Sequence, residues 1–242
     1  MPGDRRMRIL SQLVARQATG RGTKKLCEVC LEVTEVTGAG IMLMSGDTAQ
    51  GSVCSTNPVS ALIEDLQFSL GEGPCVDAYH KGRPVLEPDL AHPDESRWPA
   101  FRGPAVDAGV RGIFGFPLQM GAVRLGALNL YRDRSGPLSD DQHTDAVVMA
   151  SVAAEAVLVM QAGAQPGQLA VELEVGADFR YVVHQAAGMV SAQLGITVGQ
   201  ALVRVRAHAF AYDRLLTDLA EDIVNRRVRF DPSSDGPQEA AG

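Results

Sequence analysis

The chain has 242 residues, with 22 Lys plus Arg against 29 Asp plus Glu, a formal net charge of −7. A content of 45% hydrophobic and 21% charged residues excludes a disordered polymer, and the length fits one large or two small domains. Four cysteines exclude a disulfide scaffold at this size, and the basic, amphipathic start MPGDRRMRIL is unlike a signal peptide, so a cytoplasmic protein is expected.

Residues 6–17 carry Met7, Leu10, Leu13 and Val14 at helical spacing, and a Gly-containing break over 19–23 separates them from a second helix over 24–36. Residues 40–44 and 51–55 read as a strand pair, and 61–70 as a helix. Gly71-Glu-Gly-Pro74 is a turn, with Pro74 suited to the first position of a short helix reaching Tyr79; a short strand follows over 84–87. Residues 109–119 and 122–132 alternate as a hairpin about Gly121, with Phe114, Phe116 and Leu118 on the first strand and Asn129 and Tyr131 on the second.

Ser139-Asp-Asp-Gln142 is a capping box that opens a helix to Gln161. From Ala146 this helix is apolar nearly all round, and the stretch 146–160 is too short to span a bilayer, so no membrane partner is expected. Such a surface needs cover beyond one small sheet; the expectation is a homodimer that supplies a helix from the second subunit.

After a linker over 163–175 the pattern is helical. The first helix of this part collects Phe179, Val182, Val183, Ala186, Met189, Val190 and Leu194 on one face and Arg180, His184, Ala187, Gly188 and Ser191 on the other. Thr197-Val-Gly-Gln200 caps a second helix to Ala211, and a third covers 218–227. The remainder, 231–242, reads as a disordered tail. The domains are therefore an N-terminal helix and break (1–23), a mixed α+β domain (24–162), the linker, a three-helix bundle (176–230) and the tail.

Charge divides along the same line. Residues 180–230 hold seven Arg against four acids, a net of +3, and no carboxylate lies between Phe179 and Tyr212. An acidic body bearing a basic helical segment points to an anionic partner, nucleic acid first.

Two stretches resemble known families. Gly71-Glu-Gly-Pro-Cys-Val-Asp-Ala-Tyr79, Gly82-Arg-Pro-Val-Leu86, Gly115-Phe-Pro-Leu118 and Gly126-Ala-Leu-Asn-Leu130 resemble the GAF domain of actinobacterial regulators. Arg180-Tyr-Val-Val-His-Gln-Ala-Ala-Gly-Met-Val190, with Leu194-Gly195, Gln200-Ala-Leu202, Leu219-Ala220 and Ile223-Val224, resembles the ANTAR domain; the Lys usual in that family is Ala187 here, on the face expected to be exposed. The resemblance implies a GAF-like antiparallel sheet flanked by helices, followed by a small three-helix ANTAR bundle. It also implies a non-enzymatic transcription antitermination regulator whose bundle binds RNA stem-loops in nascent transcripts under control of a signal or small ligand.

The residues expected at the RNA are Arg180, His184, Gln185, Gly188, Arg204, Arg206, Phe210 and Arg214, since Arg planes and exposed aromatics stack splayed bases while cations hold phosphates. The competing account for Phe210 is a protein contact, and the three-helix order also permits a helix-turn-helix that reads duplex DNA through residues 200–212.

Expected to line a ligand pocket are Cys54, Cys75, Tyr79, Phe114, Phe116, Asn129 and Tyr131, with plain core as the competing account of the aromatics. Cys27-Glu-Val-Cys30 lacks the further ligands a zinc site needs and lies on an apolar stripe, so its cysteines read as small core residues and no metal is expected. Cys75 follows Pro74 at a helix start, where a thiolate is favoured, so a Cys54–Cys75 redox sensor and a GAF-type free methionine sulfoxide reductase stand as alternatives. No cofactor is named by any of these residues.

Overall fold

The computed structural model describes residues 2–17, 23–45, 48–92, 97–162, 178–179, 181–212, 214–231 and 237–239. The expected linker (163–175), Arg180, most of the first break and parts of the tail lie outside the described residues. The chain divides into two compact units, one of residues 1–68 and 72–179, the other of 69–71 and 180–242.

The first unit runs α1 (Pro2–Gln17), α2 (Lys24–Thr34), β1 (Gly38–Ser45), β2 (Thr48–Ser55), α3 (Pro58–Leu70), α4 (Pro74–Lys81), β3 (Val85–Glu87), α5 (Pro99–Asp107), β4 (Gly112–Met120), β5 (Val123–Arg132), α6 (Asp140–Gln161) and β6 (Asp178–Phe179). Its antiparallel sheet has the order β3-β4-β5-β1-β2, extended by the two residues of β6. Phe179 therefore pairs with Gly51 in the sheet rather than starting the first C-terminal helix, as its place on the apolar wheel had suggested.

Period-two alternation sends the two sides of each strand to different layers. Ala39, Ile41 and Leu43 of β1, Phe114, Phe116 and Leu118 of β4, and Leu128 and Leu130 of β5 join α1, α2 and α6 in one hydrophobic core. Gly40, Gly115 and Asn129 alternate with them and face the other layer, and the register sets Gly40 and Gly115 on either side of Asn129.

One helix of this unit was absent from the sequence reading. Residues 99–107 form α5, which Pro104 inside it and a weak apolar period had hidden. Glu72 of the Gly-Glu-Gly-Pro turn accounts for its start, because the Glu72 carboxylate accepts the Ala100 and Phe101 N–H groups at 2.7 and 2.8 Å.

Helix α6 starts on the expected capping box: Ser139 Oγ accepts the Gln142 N–H, and Gln142 Oε1 accepts the Ser139 N–H. At 22 residues it meets the length and composition of a membrane span, yet it packs in the core beside the sheet. Part of the cover that α6 needs comes from α1 and α2 of the same chain, while Val147 and Val159 stay exposed. Arg8 and Arg5 of α1 hold Asp145 at 2.7 and 3.0 Å, Arg5 also pairs with Asp141, and Arg6 reaches Glu155 at 2.5 Å. The apolar wheel counted only the sheet and overlooked α1 and α2 as covering layers.

The second unit runs α7 (Tyr181–Leu194), α8 (Val198–Ala211), α9 (Leu216–Val224), β7 (Val228–Phe230) and β8 (Pro237–Glu239). Val183, Ala186, Ala187 and Val190 of α7, Ala201, Leu202, Val205 and Ala209 of α8, and Leu219, Ala220 and Ile223 of α9 are buried. The Thr197–Gln200 capping box opens α8 as expected. The expected disordered tail is ordered in part: Pro237–Glu239 pairs antiparallel with Val228–Phe230.

Candidate functional site

The first candidate lies on the polar side of the sheet. Any side chain at Gly40 would collide with Glu64, since a Cβ there would sit 2.5 Å from Glu64 Oε1; one at Gly115 would sit 2.4 Å from the Pro74 carbonyl oxygen. These two glycines therefore let α3 and the start of α4 close onto the strands beside Asn129. Asn129 Nδ2 donates to Glu64 Oε1 at 3.2 Å, and Gln67 Oε1 accepts the Cys75 N–H at 2.8 Å. Tyr131 donates to Asn57 Oδ1 at 3.0 Å at the edge of the same layer.

Glu64 is 1% exposed, Gln67 is fully buried, and both belong to α3, one turn apart. Burial pushes the Glu64 carboxyl up to about 8, with a smaller push from Asp65 and an opposing one from Asn129. Glu64 Oε2, Gln67 Nε2 and Asn129 Oδ1 are buried with no hydrogen-bond partner. A cluster of unmet polar atoms in one layer is the chemistry of a small polar ligand site.

The seven expected pocket residues do not form one constellation. Cys75, Asn129 and Tyr131 belong to this polar layer, and Tyr79 is buried on α4. Cys54, Phe114 and Phe116 belong to the core on the opposite side of the sheet, beside α2 and α6. Alternation along the strands, read without knowing which face the helices α3 and α4 cover, merged the two sides. Glu64 and Gln67 were missed; the sequence places them on a helix, while the glycines that admit them lie on distant strands.

The cysteines also pair differently from expectation. Cys27 and Cys54 form a disulfide that ties α2 to β2 with their Cα atoms 6.1 Å apart, and Cys30 and Cys75 are free and buried. Cys27 is thus a cross-link rather than a lone core residue, and Cys54 is not joined to Cys75. Burial pushes the Cys75 thiol well above its usual range, and the Glu64 charge adds to the shift. The helix start does not overcome that desolvation, so Cys75 lacks the depressed thiol expected of a redox nucleophile. Burial likewise pushes Cys30 up to about 12. Among the described residues no group of three or more His, Cys, Asp or Glu is placed to hold a metal.

The second candidate is the surface of the helical unit. On α8, Val203, Arg204, Ala207 and Phe210 are exposed along one face, at helical spacing opposite the buried stripe. Phe210 is 64% exposed, and Tyr212, just past the helix end, is 66% exposed with its ring 4.3 Å from that of His208. On α7, Gln185 and Gly188 are exposed, and a Cβ at Gly188 would meet open space. His184 and Arg206 are half-buried; burial lowers the Arg206 guanidinium to about 10, which leaves it cationic at neutral pH.

Arg214 pairs with Asp222, which Arg227 also contacts at 2.6 Å. Its guanidinium, expected at the RNA, is engaged in an ion pair, and the short α8–α9 connection brings the two together. Ala187, expected on the exposed face, is fully buried, because the stripe that meets the neighbouring helices runs Val183–Ala187–Val190. Tyr212 was missed, since it stands one residue beyond the periodic part of α8.

A family model described as a GAF domain matches residues 23–158. The GAF domain of an Acinetobacter phosphoenolpyruvate-protein phosphotransferase is similar in structure, with 13% identity, 65% of this chain and 95% of that chain covered, and a TM-score of 0.50. The corresponding GAF domain from Coxiella burnetii gives 15% identity, 65% and 95% coverage and a TM-score of 0.48. A type II free methionine-R-sulfoxide reductase from Thermoplasma acidophilum gives 14% identity, 55% and 86% coverage and a TM-score of 0.41. A comparison with curated proteins gives no match.

Proposed function

The chain belongs to the GAF domain family, and we propose that it is a regulator in which this ligand-sensing module governs an RNA-binding helical bundle. The observation that carries the reading is the α8 face, where Phe210 and Arg204 stand exposed in a segment without a single carboxylate. An exposed aromatic and an exposed guanidinium on one helix surface offer a ring on which unpaired bases stack and a cation that holds a phosphate. The ANTAR-like pattern between Arg180 and Val224 supports stem-loops in nascent transcripts as the target, and antitermination as the outcome. The polar layer around Glu64, Gln67 and Asn129 is where the module would receive its signal.

A homodimer is part of this proposal. Its support is the pair Met7 and Val14, exposed two turns apart on α1. Sedimentation at increasing concentration tests it, and a monomer throughout would remove it.

One observation favours a second reading. Helices α7 and α8 are bent by 106° across the three residues from Gly195 to Thr197, with Gly195 at φ +67°. That is the geometry of a helix-turn-helix, whose second helix enters the major groove. Competition between a labelled two-stem-loop RNA and unlabelled duplex DNA separates the two. The RNA reading expects duplex DNA to compete poorly and Phe210→Ala to weaken binding by about 1–3 kcal/mol, roughly five- to 150-fold. Equal competition by DNA, or full affinity in both Phe210→Ala and Arg204→Ala, overturns it.

A further inference from the structure

On the other side of the sheet from the polar layer, α1, the end of α2, the end of β5 and the start of α6 border an open cleft of about 710 Å³. Arg132, the last residue of β5, lines it and is only 6% exposed. Its Nη1 donates to the Pro137 carbonyl at 3.0 Å and its Nη2 to Gln142 Oε1 at 2.5 Å, while Nε is buried with no partner. Both acceptors are neutral, and among the described residues no carboxylate pairs with Arg132. Gln142 Oε1 is itself fixed by the Ser139 N–H at 3.0 Å, so the α6 capping box holds the guanidinium in place.

A buried cation without an anion is costly, and Arg134 nearby makes it more so: burial and the Arg134 charge both lower the Arg132 pKa. The start of α6 adds a further positive potential on the same side, through its aligned peptide dipoles. An oxyanion is the group that this end of the cleft lacks. The cleft is not uniformly basic, however. Arg5 and Arg8 are committed to Asp141 and Asp145, and the lining also includes the exposed Glu35 at the C-terminal end of α2, where the helix dipole is negative.

We propose that this cleft binds a small zwitterion of the α-amino-acid class, its carboxylate on Arg132 and the start of α6, its ammonium group toward Glu35. A dianion such as inorganic phosphate is disfavoured by the acidic lining, and a simple amine finds no use for Arg132. The volume exceeds that of an amino-acid backbone and accommodates a side chain. This site is separate from the Glu64 layer and from the bundle, so it stands or falls independently of RNA binding.

Calorimetric titration of the full chain with each standard L-amino acid, acetate, methylammonium and inorganic phosphate tests the proposal. At least one amino acid is expected to bind and raise the melting temperature, with acetate about tenfold weaker or worse and methylammonium and phosphate without effect. Arg132→Lys keeps the charge but loses the planar fork and is expected to weaken that amino acid about tenfold or more. Glu35→Gln is an exposed change that leaves the fold intact and is expected to weaken it severalfold, which keeps the test decisive should Arg132→Lys fold poorly. Absence of binding by every amino acid, equal binding by acetate, a preference for phosphate, or unchanged affinity in Glu35→Gln overturns the proposal.

Discussion

Replacement of Glu64 by Gln is expected to stabilise the protein, and to do so more as pH rises. A carboxyl lifted from 4.5 to about 8 on folding binds a proton in the folded state that the unfolded chain has already released across that interval. Stability therefore falls as pH climbs from about 4.5 to about 8. At 1.36 kcal/mol per pH unit the loss totals on the order of 5 kcal/mol, about 3 of it incurred by pH 7. Gln is nearly isosteric, its Oε1 can accept the same Asn129 N–H, and it carries no charge to desolvate. Urea unfolding followed by circular dichroism between pH 5 and 9 should show the wild type losing stability and Glu64→Gln running flatter, the two diverging steadily from pH 5 to about 8 and running parallel above it. Parallel profiles would show that Glu64 is solvated or paired and that the polar layer is not the closed, low-dielectric site described above.

The Cys27–Cys54 link closes a sequence separation of 27 residues, and chain-entropy arguments give it about 3–4 kcal/mol; reduction or Cys27→Ala should lower the urea midpoint accordingly, and an unchanged midpoint would show that the cross-link does not form. Gly115→Ala places a Cβ 2.4 Å from the Pro74 carbonyl, a backbone atom that cannot swing aside, and should cost about 1–3 kcal/mol, read by the same unfolding assay. Thr197→Ala removes the hydroxyl that accepts the Gln200 N–H and should cost the helical unit about 1 kcal/mol, visible as earlier melting at 222 nm.

The parts of the fold legible in the sequence were those governed by local chemistry. Ser139–Gln142 and Thr197–Gln200 announce helix starts because a capping box is a contact between residues three apart. The hairpin about Gly121 is equally local, since one left-handed glycine joins two alternating strands. What stayed hidden depends on partners far along the chain. That α1 covers α6 rests on ion pairs spanning more than a hundred residues, such as Arg8 to Asp145. Which side of β4 and β5 holds the polar layer is decided by Glu64 and Gln67 on α3, and no spacing along the strands carries that information. The Cys27–Cys54 pairing is hidden for the same reason, as four cysteines allow several pairings and only the packing of α2 on β2 selects one. Ala187 shows the limit of wheel arguments: a shift of one position in where the neighbouring helices press moved it from the exposed face to the core.

The most direct test of the account is crosslinking in living cells, with the RNA bound to the full chain recovered and sequenced, in parallel for wild type and Phe210→Ala. The account predicts enrichment of transcripts carrying paired stem-loops that overlap a terminator, and loss of that enrichment in the variant. Recovery of no RNA above background, or of the same unstructured RNAs with both proteins, would contradict it.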